Sequence, residues 1–259
     1  MSCVILMYHV IDEPRAASEA RFCCPPEMFR AQMEHLSSTG WRVIALSELA
    51  RHIERGQAPP ERSVVITFDD GTACTHEFAL PILAEFGYPA AVFVVSHLIG
   101  GINDWMVREG QPERKMLSNR QVVELRDLNI EIGSHTAHHV WMTRVSPDEA
   151  KREALESKAR LEEILGSRVV HFAYPYGNLD VEVRQIVKDA GYKTACSTRA
   201  GKNGSGSDVL SLRRIEIMGD DAIWQFRLKL ISGTHDMPPW SLARAGVKKM
   251  LGIDRKTGA

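Results

Sequence analysis

The 259-residue sequence is short of several things, and each shortage removes a class of function. It has no excess of positive charge. Thirty-two Lys and Arg stand against 33 Asp and Glu, a formal net charge of -1, so a basic nucleic-acid surface is not expected. The tail residues Lys248-Lys249 and Arg255-Lys256 are too few to change that and read as solvated charge. The five cysteines, Cys3, Cys23, Cys24, Cys74 and Cys196, are odd in number and include no C-x-x-C pair, which argues against a zinc knuckle or a thioredoxin-type centre. Cys23 and Cys24 are neighbours that would pair only with strain, so the expectation is reduced thiols. No apolar run is long enough to cross a bilayer, and no basic segment with an apolar stretch and cleavage site is seen, so the sequence predicts a cytoplasmic protein with no transmembrane segment. Nor does a glycine-rich dinucleotide fingerprint follow the first apolar run, which counts against a nucleotide-binding sheet.

What is present is a repeated alternation. With 44% hydrophobic and 25% charged residues, the chain can build an ordinary core. Short apolar runs at 3–8, 42–46, 64–68, 90–95, 130–133, 169–173, 194–197 and 210–217 read as strands. Between them lie amphipathic helices with recognisable ends. Pro26 opens one that Gly40 closes, Ser47 is expected to cap one ending at Gly56, and Gly87 stops one ending at Phe86. Ser118 caps another, and Ser146-Pro147-Asp148-Glu149 begins a long helix ending at Gly166. A helix over 179–190, one capped by Asp220, and a last one around 240–250 complete the pattern. Residues His97 to Leu117 form the longest irregular connection. Strand–helix alternation predicts an α/β fold with a parallel sheet, and seven or eight units favour a (β/α) barrel over a doubly wound sheet. We expect one catalytic domain over 1–259, with a core at about 3–232 and a C-terminal extension at 233–259.

In a barrel the chemistry gathers at the C-terminal ends of the strands. One such end carries Thr67-Phe68-Asp69-Asp70-Gly71, where two adjacent carboxylates repel each other and need compensation, most simply by a cation. Another carries Ser134-His135-Thr136-Ala137-His138-His139. His135 and His139 are four apart, so a single helical turn would put both imidazoles on one side, with His138 as an alternative ligand. Two histidines, one carboxylate and an open position for water make a catalytic zinc-type site. His9 ends the first strand, while Trp105, Trp141 and Tyr174 are candidate substrate contacts; Trp105 is either a sugar-stacking surface or a packing anchor. His76 and His171 read as structural or exposed.

Three stretches, in order, resemble the first three motifs of the polysaccharide deacetylases, the NodB-type enzymes of carbohydrate esterase family 4. They are Thr67-Phe68-Asp69-Asp70-Gly71, His135-Thr136-x-x-His139 and Phe172-Ala173-Tyr174-Pro175-Tyr176-Gly177. Ile5-Leu6-Met7-Tyr8-His9 and Met116-Leu117-Ser118 resemble a bacterial branch of that family, and the likeness spans roughly residues 3 to 232. The resemblance implies a distorted (β/α) barrel with seven or eight strands and metal-dependent removal of acetyl groups from an N-acetylhexosamine-containing glycan or glycoconjugate. It makes Asp69 the general base, makes Asp70, His135 and His139 the ligands of a divalent metal (zinc, with cobalt or nickel also suited), and places Tyr176 where a backbone N–H holds the oxyanion.

The chain departs from that pattern twice. The late histidine motif is matched only poorly by His235, so His9 is the preferred source of an acid group. The third motif has Ala173 where many members carry an arginine that orients the catalytic carboxylate, and Arg214 is expected to take over the contact to Asp69. The rival readings are a barrel hydrolase of a non-sugar amide and a catalytically inactive glycan-binding module.

Overall fold

In the computed structural model, which describes residues 1–235, the strands form one parallel sheet. In chain order these are β1 (Val4–Tyr8), β2 (Arg42–Val43), β3 (Ser63–Phe68), β4 (Ala91–Val94), β5 (Glu131–Ser134), β6 (His171–Ala173), β7 (Thr194–Cys196) and β8 (Ile215–Glu216). Seven follow one path in the order β7-β6-β5-β4-β3-β1-β8, and β2 adds to β3 at its start, pairing Val43 with Val64. The sheet curls into a distorted barrel. Its seam, between β7 and β8, is filled by residues 209–214: Ala195 donates to Val209, Leu212 to Ala195, and Ser197 to Leu212.

The pleat divides the apolar residues into two cores. Ile5, Val65, Ala91, Phe93, Ala173 and Cys196 face the barrel interior. Val4, Leu6, Val64, Ile66, Val92 and Phe172 face outward under the helices. The fully buried Val, Leu, Ile and Phe side chains among them each contribute roughly 1.5–3 kcal/mol. The helices are α1 (Pro26–Ser38), α2 (Leu46–Glu54), α3 (Leu80–Phe86), α4 (Asp104–Arg108), α5 (Asn119–Asp127), α6 (Pro147–Leu165), α7 (Val181–Asp189) and α8 (Ile223–Ser232). Helix α2 sends Leu46, Leu49 and Ile53 into the inner core. Its amino terminus meets the start of β5, where the Glu131 carboxylate accepts from the Ser47 N–H.

Several predicted boundaries move. Ser47 is not a cap: Ala45 occupies that position, and Glu131 from β5 supplies the acceptor instead. The strand predicted at 42–46 shrinks to two residues, and that at 210–217 to Ile215–Glu216. Helix α8 begins after Ala222 rather than at Asp220. The connection at 97–117 contains α4. Ser118 and Ser146 cap their helices, and Gly87 and Gly166 end theirs in the left-handed conformation. The predicted helix at 240–250 lies outside the described residues, as does the extension beyond residue 235. Among the described residues, no helix is long and apolar enough to cross a membrane.

Candidate active site

Asp69 continues the inward series Val65, Thr67, Asp69 beyond the end of β3, and the chain immediately supplies its counter-charge. Arg214 Nη1 donates to Asp69 Oδ1 at 2.6 Å, and Nη2 to Oδ2 at 2.7 Å. The same guanidinium donates to Thr67 Oγ1 and, through Nε, to the Ser197 carbonyl. Arg214 is 0% exposed and Asp69 2%, so this is an ion pair fully withdrawn from water. Burial alone would raise the Asp69 pKa; the charge of Arg214, helped by the neighbouring imidazoles, outweighs it and holds the carboxyl below its ordinary value. At position 173 the inner face carries only a methyl group, and the cation reaches Asp69 from the seam instead.

Asp70 is sent elsewhere by the backbone. Asp70 and Gly71 are both left-handed, with φ of 72° and 78°, which turns the chain off the strand axis and keeps the Asp70 carboxylate on the cleft side rather than behind the sheet. Gly71 is doubly required, because a Cβ there would also meet Val94 Cα at 3.2 Å. Asp70 Oδ1 lies 3.5 Å from His135 Nε2 and 3.3 Å from His139 Nε2. The three residues offer ligand atoms that all lie within 4.8 Å of one another. Burial raises the Asp70 pKa, but the hydrogen bond and charge of His139, with the charges of His9 and His135, bring it well below the carboxylate range.

The two histidines do not share a helical turn. Residues 135–139 form a tight loop in which Thr136 and His139 are both left-handed, with φ of 64° and 61°, and the Thr136 hydroxyl accepts from the His139 N–H. The reversal, not helical periodicity, brings the rings to 4.9 Å. His135 Nδ1 lies 2.8 Å from the Ala173 carbonyl, which can only accept, so Nδ1 carries the proton and Nε2 presents a lone pair toward Asp70. Burial, with the charge of His139, pushes the His135 pKa down to about 4 despite the nearby carboxylates. An ionised carboxylate, a neutral imidazole of fixed tautomer and a second imidazole converging on one point fit a divalent cation of the zinc type. His138, the alternative ligand, points away: its Nδ1 bonds Glu153 at 2.7 Å and its ring packs on His97.

A cleft of about 510 Å³ opens over these groups, walled by His9, Phe22, Trp105, Trp141, Tyr176 and Glu216. His9, at the end of β1, is half-buried, packs edge-on against Phe22, and has its Nδ1 buried without a hydrogen-bond partner. Trp105, in α4, is 5% exposed and stacks on His139 at 4.4 Å, so it packs as an anchor for that imidazole. Tyr176 packs its ring against His139 within a tight turn at Pro175–Gly177. Trp141 lies between the Tyr176 ring at 3.8 Å and the Arg144 guanidinium at 3.9 Å. Two groups that close to one ring must take opposite faces, so Trp141 offers the cleft an edge and not a stacking face.

Two candidates leave the cleft. Tyr174 is fully buried in the outer core and donates its hydroxyl to the Leu210 carbonyl at 3.0 Å. Its neighbour Ala173 faces inward, so the pleat turns the Tyr174 side chain out, away from the cleft lining. His235 accepts from the Glu216 N–H through Nδ1 and bonds the Thr198 carbonyl through Nε2. With both nitrogens committed to backbone, it joins α8 to the seam rather than to the cleft. His171 bonds Thr194, and His76 bonds Glu124.

Two residues that shape the site carried no motif. Arg114, 3% exposed, bonds Glu19 through Nε and Nη2 and Asp12 through Nη1, stapling the 97–117 connection to the loop after β1. Glu153, 3% exposed, reaches from α6 to the 135–139 loop. The available signal for Glu153 was its place on the buried face of α6, at helical spacing from Ala150, Ala154 and Leu161.

Comparison with known proteins gives the family and the fold. The family model described as polysaccharide deacetylase matches residues 56–195. The chain is 25% identical to the YxkH protein of Bacillus subtilis (strain 168) over 213 residues, 82% of this chain and 70% of that one. It is 25% identical over 217 residues to the poly-beta-1,6-N-acetyl-D-glucosamine N-deacetylase of Staphylococcus aureus (strain NCTC 8325 / PS 47), 80% of this chain and 71% of that one. The fold matches that of the Streptococcus pyogenes deacetylase PplD, solved in complex with acetate, with a TM-score of 0.76 and 24% identity over 89% of this chain and 98% of that one.

Proposed function

Because the chain belongs to the polysaccharide deacetylase family, we propose that it is a metal-dependent hydrolase that removes the N-acetyl group from an N-acetylhexosamine unit of a glycan or glycoconjugate. The observation that carries this reading is the division of two adjacent carboxylates: Asp70 converges with His135 and His139, and Asp69 is held beside them by Arg214. The poly-N-acetylglucosamine activity in the name of the staphylococcal relative supports the substrate class.

Asp70, His135 and His139 would hold the cation, for which zinc is the best fit and cobalt or nickel are alternatives. Bound there, a divalent metal supplies a water acidified toward neutral pH and a Lewis-acid contact for the acyl oxygen. Asp69 stays outside the ligand set and takes the proton of the attacking water. Arg214 occupies one side of that carboxylate, which fixes its orientation and keeps it ionised before attack. The main-chain N–H of Tyr176 stabilises the oxyanion. His9, on the cleft wall, returns a proton to the leaving amine. Trp141 and Tyr176 border the sugar with their edges.

The test is acetate release from N-acetylglucosamine oligomers. Chelation should abolish release and added zinc restore it, and Asp69→Asn should lower kcat by roughly 10²–10⁴-fold without loss of zinc binding. Oligomer binding without acetate release under any divalent metal would overturn the hydrolase reading.

A further inference from the structure

The 135–139 loop places both histidine ligands, yet little within it sets its shape. It contains two left-handed residues that are not glycine, Thr136 and His139, and such conformations persist only where the surroundings enforce them. The enforcement comes from α6. Glu153 Oε2 accepts from the Ala137 and His138 N–H groups, both at 2.9 Å, and Oε1 bonds His138 Nδ1 at 2.7 Å. One turn further along the same helix, Ser157 bonds the Ser134 hydroxyl at 2.6 Å, and that hydroxyl accepts from the Thr136 N–H. The inner face of α6 is otherwise Ala150, Ala154, Leu161 and Leu165. A carboxylate on such a face is costly to bury unless its oxygens are bonded, and here all three bonds go to the segment between the ligands.

We propose that Glu153, seconded by Ser157, is a positioning residue for the metal: it clamps the backbone between His135 and His139 in the conformation that brings their Nε2 atoms together. The inference rests on the reading of Asp70, His135 and His139 as a metal site. The clamp acts through two backbone N–H groups that share one oxygen, so it depends on the length and acceptor of the side chain rather than on its charge. A glutamine preserves that oxygen, while an aspartate preserves the charge but withdraws it from the loop.

The experiment is zinc affinity of the metal-free protein, measured by competition with a colorimetric chelator, for wild type, His139→Ala, Glu153→Gln, Glu153→Asp and Glu153→Ala. Thermal unfolding of each metal-free variant checks that it is folded. Glu153→Asp and Glu153→Ala should weaken zinc by about 10–100-fold, and Glu153→Gln should remain close to wild type. If Glu153→Asp binds as well as Glu153→Gln or better, or if a folded Glu153→Ala binds as tightly as wild type, the clamp is wrong. A wild type that binds no zinc, or a His139→Ala variant that binds it as well as wild type, instead overturns the metal site itself. Since the aspartate and glutamine variants keep a polar side chain at 153, the ordering can be read even if the alanine variant does not fold.

Discussion

Asp69 and Asp70 are neighbours in sequence, but they end up in regions of opposite character. The seam side is closed: Asp69 meets Arg214 through two hydrogen bonds, and the guanidinium also donates to Thr67 and Ser197. The loop side is convergent: Asp70 meets two imidazoles, one of them held neutral by burial, and among the described residues no Lys or Arg is ion-paired with it. A carboxylate with a resident counter-ion is available for proton transfer, and one without is available for a metal. Two carboxylates on a regular strand end would face opposite sides of the sheet; the left-handed backbone at Asp70 and Gly71 instead keeps both on the cleft, in different surroundings.

The largest effect that would break this contrast is removal of the resident cation. Arg214→Met should destabilise the protein by about 3–5 kcal/mol, read as a lower denaturant midpoint, because it leaves Asp69 charged and buried. Adding Asp69→Asn should recover part of that loss. A single variant as stable as wild type would mean that water or another group already balances Asp69.

A smaller effect should sharpen the loop side. The His135 pKa falls from 6.5 in the unfolded chain to about 4 when folded. Between those values the unfolded chain binds a proton that the native protein does not, so stability of the metal-free protein should fall as pH drops from 6.5 to 4. The two aspartates, with lowered folded values, add their destabilisation mainly as pH approaches and passes below the ordinary carboxylate pKa of 3.8. Urea titrations across that interval should show a shallower dependence in His135→Asn; an unchanged slope would locate the proton elsewhere.

The smallest effect marks the border of the site. Tyr174→Phe removes one buried hydroxyl bond on the outer side of β6 and should cost about 1 kcal/mol of stability. Its KM for N-acetylated oligomers should match wild type, whereas a raised KM would return Tyr174 to the cleft.

The strand ends and their acids and imidazoles were legible because they depend on local order: a β-branched run, a turn, a histidine pair. The contact of Arg214 with Asp69 was also anticipated, from a cation near a strand end and an alanine in motif three. The route by which His135 meets His139 was not, because spacing of four is equally satisfied by a helical turn and by a loop with two left-handed residues. Arg114 has no local mark of burial, and for Glu153 the apolar face of α6 suggests burial but not what the carboxylate binds; their partners lie 15 to 102 positions away. Tyr174 was misplaced by a single step of the pleat.

The seam makes one position answer to two demands. Residues 209–214 complete the curl between β7 and β8, and the side chain that ends this segment crosses the interior to β3. A change at 214 would therefore alter how much folded protein accumulates in a cell before any assay of turnover is made. Mutational drift at His139 would end the proposed reaction without stranding a buried charge. The same outcome reached through Arg214 would tend to remove the protein itself, so an inactive descendant of this chain is expected to have kept its arginine and lost a histidine.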